Sequence, residues 1–207
     1  MSNAPSILDR APVVPVVVLY DTADAVPVAR ALVAGGLPII ELTLRTPSAL
    51  ECIRRIAAEV PEIEVGAGTV LSPRDAEAAA AAGARFLVSP GSTPTLIDAM
   101  SSTQLAFLPG VATVSEAMVL REAGIKELKF FPAEAAGGVA MLRSIAGPLP
   151  DLLFCPTGGI TPGSAPTYLA LPNVAWIGGS WLTPQAAIDA QDWAQITRLA
   201  REATALR

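Results

Sequence analysis

Histidine is missing altogether from the 207 residues. That absence excludes Ser-His-Asp triads, Cys-His dyads and every metal site built on imidazole. Cysteine is nearly missing too. Cys52 and Cys155 are too few for a disulfide framework or a thiolate cage, and their scarcity fits a reducing, cytoplasmic setting. Aromatic residues make up 5% of the chain, so its core must be aliphatic, built from Ala, Val, Leu and Ile. Basic runs are absent and the net charge is −5, which argues against a nucleic-acid partner. No stretch reaches the roughly 18 uninterrupted apolar residues of a membrane span. What is present is apolar surface: 52% of the residues are hydrophobic against 16% charged, a balance that excludes disorder. The length suits one domain, residues 1–207, with a sizeable core.

Arg10 precedes an apolar run from Ala11 to Tyr20, and Ala23-Asp24-Ala25 has the look of a small-residue cleavage site. However, Asp9 neutralises Arg10, and Pro12 and Pro15 interrupt the run. A buried parallel strand fits it better than a signal peptide. Counting that run, candidate strands begin near Val13, Ile39, Glu64, Phe86, Ala106, Glu127, Leu153 and Val174, recurring every 20 to 26 residues. Helical patterns lie between them, among them Ala23–Ala34, Pro47–Glu59, Pro73–Ala82, Val114–Ala123 and Val139–Ala146. Glycines 35, 36, 83, 124 and 147 supply stop signals. The alanine run 78–82 reads as a tightly packed helix face. Strands alternating with helices imply parallel βαβ units, and eight units in about 200 residues suffice for a barrel. The expected fold is an α/β (β/α)8 TIM barrel with a short N-terminal helix. A doubly wound open sheet is the rival, and it would need no eighth unit.

Polar residues stand where a barrel interior should be apolar. Along Ile39 to Arg45, period two puts Ile40, Leu42 and Leu44 on one face and Glu41, Thr43 and Arg45 on the other. The apolar face must meet the helices, so the polar set points inward, where branched apolar side chains are the norm. The same parity turns Glu127, Lys129 and Phe131 inward and Leu128 and Phe130 outward. The chain has two lysines, Lys126 and Lys129, against twelve arginines, so a lysine inside a strand is informative. Unlike arginine, a desolvated lysine can give up its proton and attack a carbonyl. Lys126, on the opposite parity, reads as an ordinary surface residue. An inert buried ion pair among Lys129, Glu41 and Glu127 is the plain alternative.

Glycines gather at strand ends, in Gly66-Ala67-Gly68-Thr69, Pro156-Thr157-Gly158-Gly159 and Gly178-Gly179-Ser180. Loops after the seventh and eighth strands of barrels often hold phosphate on backbone N–H groups. Tight turns also use glycine, so each pair alone says little. Both together suggest an anionic ligand bound by local dipoles in an acidic protein.

The stretch Gly36 to Arg45 resembles the active-site signature of the 2-dehydro-3-deoxy-6-phosphogluconate and 4-hydroxy-2-oxoglutarate aldolase family. Gly124 to Glu134 resembles that family's Schiff-base lysine signature. Supporting stretches run in order from about Pro12 to Arg201, including Ser89-Pro90-Gly91, Pro109-Gly110-Val111-Ala112-Thr113 and Gly179-Ser180-Trp181-Leu182. The resemblance implies a homotrimeric barrel with metal-independent class I chemistry and no cofactor. Its substrate would be a small phosphorylated keto acid, split to pyruvate and glyceraldehyde 3-phosphate as in the Entner–Doudoroff route. By matching position, Lys129 would form the imine and Glu41 would act as general acid and base. Arg45 and Thr69 would bind the keto-acid end, with Pro90 and Phe131 as apolar walls. Thr157 would meet the sugar hydroxyls, and Gly158, Gly159, Gly179 and Ser180 the phosphate. Leu19-Tyr20-Asp21 stands where several relatives carry a basic residue, so an anion contact from that loop is not expected. Three rivals stay open: a phosphogalactonate aldolase, a phosphosugar isomerase barrel, and a barrel that only binds a phosphorylated ligand.

Overall fold

The computed structural model describes residues 11–206. The short N-terminal helix expected ahead of the first strand lies outside the described residues. Within them the chain alternates strand and helix: β1 Val13–Val17, α1 Ala25–Ala34, β2 Ile39–Thr43, α2 Ala49–Glu59, β3 Glu64–Gly68, α3 Pro73–Ala81, β4 Phe86–Val88 and α4 Pro94–Ser102. The second half continues with β5 Ala106–Leu108, β6 Gly110–Val111, α5 Val114–Glu122, β7 Glu127–Phe130, α6 Gly138–Ala146, β8 Leu153–Pro156 and α7 Ala165–Leu169. It ends with β9 Ile177–Gly179, α8 Gln185–Asp189 and α9 Trp193–Thr204.

Every strand pair is parallel, in the orders β5-β4-β3-β2-β1-β9 and β6-β7-β8. The two sets join where β5 runs into β6 and where Thr157 bridges Gly178 and Phe154 bridges Val174. A curled parallel sheet with helices outside is the (β/α)8 barrel, not an open sheet. Two of the eight expected strands differ in detail. The fifth is cut by Pro109, which has no N–H for the ladder, although its carbonyl still accepts from Lys129 N at 2.9 Å. The eighth begins at Ile177, and Val174 keeps only a single bridge.

The apolar run once open to a signal-peptide reading is β1, and Val13, Val14 and Val17 in it are buried. Helix starts follow local chemistry. Ser72 and Thr93 accept hydrogen bonds from Asp75 N and Leu96 N, each just ahead of a proline that fits the first turn. Thr113 and Glu116 form a reciprocal capping box on α5. In the alanine-rich stretch, Ala76, Ala79 and Ala82 recur every third residue as the buried line of α3. Among the described residues no helix is long and apolar enough to cross a membrane.

Candidate active site

Few polar side chains are buried, and Glu41, Thr43, Lys129 and Thr157 are among them. All four sit on inward strand parity. Glu41 lies mid-β2 and is 3% exposed, while Lys129 on β7 is 5% exposed. Their strands are far apart in sequence but face each other across the barrel, and Lys129 Nζ donates to Glu41 Oε1 at 3.2 Å. Room for that carboxylate comes from β3. A Cβ on Gly68 would fall 2.1 Å from Glu41 Oε1, so any side chain there would displace it. Lys129 Nζ also sits 5.4 Å from the centre of the Phe131 ring, so one aromatic face covers the amine. Cys155 is in register with Lys129 on the neighbouring β8. Burial pushes its thiol pKa up to about 12 despite the nearby amine. The thiol is therefore a neutral neighbour, not a second nucleophile.

Phe131, whose ring faces the Lys129 amine, also lines a cavity of about 250 Å³, together with Val16, Arg45, Thr157, Gly158, Gly159, Ile160, Gly178 and Ser180. Six residues picked out in the sequence therefore line one cavity: Arg45, Phe131, Thr157, Gly158, Gly159 and Ser180. Arg45 does not point into the barrel core as the period-two pattern expects. β2 ends at Thr43, and Arg45 stands beyond it, exposed at the mouth. There its Nε donates to Thr69 Oγ1 at 3.3 Å. Thr69 holds φ at +59°, a left-handed conformation that costs a β-branched residue on the order of 1–3 kcal/mol. Strain of that kind persists where the surroundings over-determine it, and here it aims the hydroxyl at Arg45.

The remaining expected residues fall nearby. The Pro90 backbone packs on Gly110, which is in register with Lys129. Gly179 does not line the cavity, because strand alternation turns its Cα toward Trp181 and Leu182 while Gly178 faces the interior. Val16 and Ile160 were not singled out from sequence, and Gly178 was named only as part of the strand-end glycine cluster. Parity along β1 would have given Val16, and strand alternation selects Gly178 over Gly179 within that cluster. Lys126 lies outside, side chain 55% exposed, 3.6 Å from Asp151.

This arrangement can do imine chemistry: a buried amine beside a carboxylate, and next to them a cavity lined by a guanidinium and by glycine-rich backbone. The model of the aldolase family described as KDPG and KHG aldolase matches residues 5–199. The KHG/KDPG aldolase of Escherichia coli (strain K12) is 53% identical over 202 residues, covering 98% of this chain and 95% of that protein. A crystal structure of KDPG aldolase from Legionella pneumophila, with pyruvate captured as a covalent carbinolamine intermediate, superposes with a TM-score of 0.94. It is 44% identical and covers 96% of this chain and 97% of its own. The 2-keto-3-deoxy-6-phosphogluconate aldolase of Zymomonas mobilis ZM4, solved with 3-phosphoglycerate, gives 0.93 at 48% identity, covering 98% and 95%. With the fold, the buried lysine and these matches in hand, the chain belongs to the KDPG and KHG aldolase family, as a class I, Schiff-base carbon–carbon lyase.

Proposed function

We propose that the chain cleaves 2-dehydro-3-deoxy-6-phosphogluconate to pyruvate and glyceraldehyde 3-phosphate, with Lys129 as the imine-forming residue and Glu41 as the proton carrier. The observation that carries this is the buried contact of Lys129 Nζ with Glu41 Oε1 at 3.2 Å, next to the Phe131 ring that lines the cavity. Transfer of a proton from the ammonium to the carboxylate leaves a neutral amine, which adds to the C2 carbonyl. Glu41 returns the proton to the carbinolamine oxygen, water leaves, and a protonated imine remains. Glu41, a carboxylate again, then takes the C4 hydroxyl proton through a water molecule. The C3–C4 bond breaks, its electron pair neutralises the iminium as an enamine, and the aldehyde departs. Protonation at C3 and hydrolysis release pyruvate and the free lysine.

Arg45 holds the keto-acid carboxylate with Thr69 bracing its guanidinium, and a bidentate contact orients C2 toward the amine. Phe131 and Pro90 keep water from the imine. Thr157 takes the sugar hydroxyls, and the backbone at Gly158, Gly159 and Ser180 takes the phosphate, with Gly179 left out because it faces Trp181 and Leu182. 4-Hydroxy-2-oxoglutarate, which offers no phosphate, is a secondary substrate. The chain works as one domain in a cytoplasmic homotrimer. Exposed Leu71, Met118 and Val119 offer apolar surface between copies, and the two free, buried cysteines suit a reducing compartment.

Incubation with pyruvate and borohydride, followed by peptide mass mapping, tests the assignment. One reduced pyruvate per chain is expected on Lys129 and none on Lys126. An adduct on Lys126, or none on protein that still turns over, would end it.

A further inference from the structure

Glu134 is not among the residues that line the cavity, yet it is tied to the Gly158–Gly159 loop that does line it. It follows β7, and the backbone there is laced to the segment after β8: Ala133 N donates to Thr157 O at 2.8 Å and Glu134 N to Gly158 O at 3.1 Å. Its aliphatic stem lies flat over Gly159, where φ is +81°. A Cβ on Gly159 would fall 2.6 Å from Glu134 Cγ and 2.8 Å from its Cβ. The carboxylate then turns away from the cavity to Tyr168 on α7, whose hydroxyl donates to Oε1 at 2.7 Å. Tyr168 is fully buried, and Gly138 leaves space for its hydroxyl, which lies 3.0 Å from where a Cβ would be.

Glu134 is exposed, yet its carboxylate is held in place, and a carboxylate so close to a loop meant for phosphate needs a reason, because like charges repel. The Tyr168 hydroxyl supplies it. Burial and the facing carboxylate both raise the phenol's pKa, so it stays a donor and keeps the negative charge on the α7 side. We infer that Glu134 is a positioning residue: held by Tyr168, it presses on Gly159 and fixes the Gly158–Gly159 backbone at the spacing that receives the substrate's phosphate. This rests on the assignment of that loop to phosphate. Glu134 touches no reacting atom, so it acts on recognition of one end of the substrate and not on imine formation.

The test compares Glu134→Ala, Glu134→Gln and Tyr168→Phe in two assays. One is steady-state cleavage of 2-dehydro-3-deoxy-6-phosphogluconate. The other is exchange of pyruvate methyl protons with D2O, which needs the imine but no phosphate contact. Glu134→Ala and Tyr168→Phe should raise KM about tenfold with kcat within about twofold, and leave pyruvate exchange unchanged. Glu134→Gln, whose amide oxygen still accepts from the phenol, should restore KM to near the parent value. An unchanged KM in Glu134→Ala, a parallel loss of pyruvate exchange, or a Gln variant as poor as the Ala variant would each overturn the proposal. Ser180→Asp separates this from the loop assignment, because it sets a negative charge inside the cavity. If it raises KM and Glu134→Ala does not, only the positioning role falls. If Ser180→Asp leaves KM unchanged, the phosphate assignment falls and the positioning role with it.

Discussion

Lys126, just ahead of β7, and Lys129, within it, stand three residues apart and have opposite lives. Lys126 is half in water, 3.6 Å from Asp151, which also accepts from Arg121 Nε at 2.8 Å. Lys129 is buried against Glu41 at 3.2 Å under an aromatic ring. Both are lysine–carboxylate pairs at similar distance, so distance does not distinguish them. Desolvation does. In water an ion pair exchanges one good solvent for another and gains little. In the barrel the same pair has left several kcal/mol of hydration per ion behind, and such an arrangement persists only when geometry or function repays it. The comparison predicts that changes at the inner pair act on chemistry and changes at the outer pair act weakly on stability.

The largest expected effect comes from exchanging each lysine for arginine. Lys129→Arg keeps a positive charge but has no amine able to form an imine, so turnover should fall beyond about 10,000-fold. Lys126→Arg should stay within about twofold of the parent. Measurable imine trapping in Lys129→Arg would erase the distinction between the two residues.

Next is Glu41→Gln, which preserves shape and removes proton transfer. Its kcat should fall by about 100- to 10,000-fold while the protein stays folded and pyruvate still reaches Lys129 slowly. Should this variant unfold and its folded fraction keep most specific activity, the inner pair would be structural, like the outer one. Thermal midpoints measured beside the kinetics decide between these outcomes.

How much of this contrast was legible beforehand follows from the reach of strand alternation. Period two holds while the ladder holds, so it placed Glu41, Lys129 and Phe131 correctly and sent Lys126 to the surface. It failed at Arg45 because β2 stops at Thr43, and nothing in Leu44-Arg45-Thr46 announces the stop. The left-handed Thr69 was equally hidden, since a β-branched residue is a poor candidate for positive φ. Pro109 did carry its signal, a missing donor inside an apolar run, and it marks the break between β5 and β6. Long-range contacts such as Tyr168 Oη to Glu134 Oε1 exist only once the barrel closes, and no local pattern encodes them.

Arg45 lies between the two extremes, exposed yet in the cavity wall, and it sharpens the comparison. On the proposed role of Arg45, Arg45→Ala should raise KM about tenfold or more and lower kcat less, because the keto-acid carboxylate would lose a bidentate partner. Arg45→Lys should recover only part of the loss, since an ammonium lacks the planar fork. A variant with unchanged KM for both keto-acid substrates would assign the carboxylate to another group.

The smallest effect belongs to the outer pair. Hydrogen bonding to Arg121 holds the Asp151 carboxyl below its ordinary value of 3.8, with Lys126 adding to the same direction. A carboxylate depressed on folding stabilises the native state above its unfolded value, and that contribution is lost as pH falls through the folded one. Asp151→Asn should therefore lower the thermal midpoint slightly near pH 7, and the gap between variant and parent should close in acid below about pH 3.8. Raised salt should close it too, because these groups face solvent and are screened. Midpoints recorded at both pH values, in dilute and concentrated salt, supply the check. A large loss that salt leaves untouched would mean that Asp151 is as shielded as Glu41, and desolvation would no longer separate the two lysines.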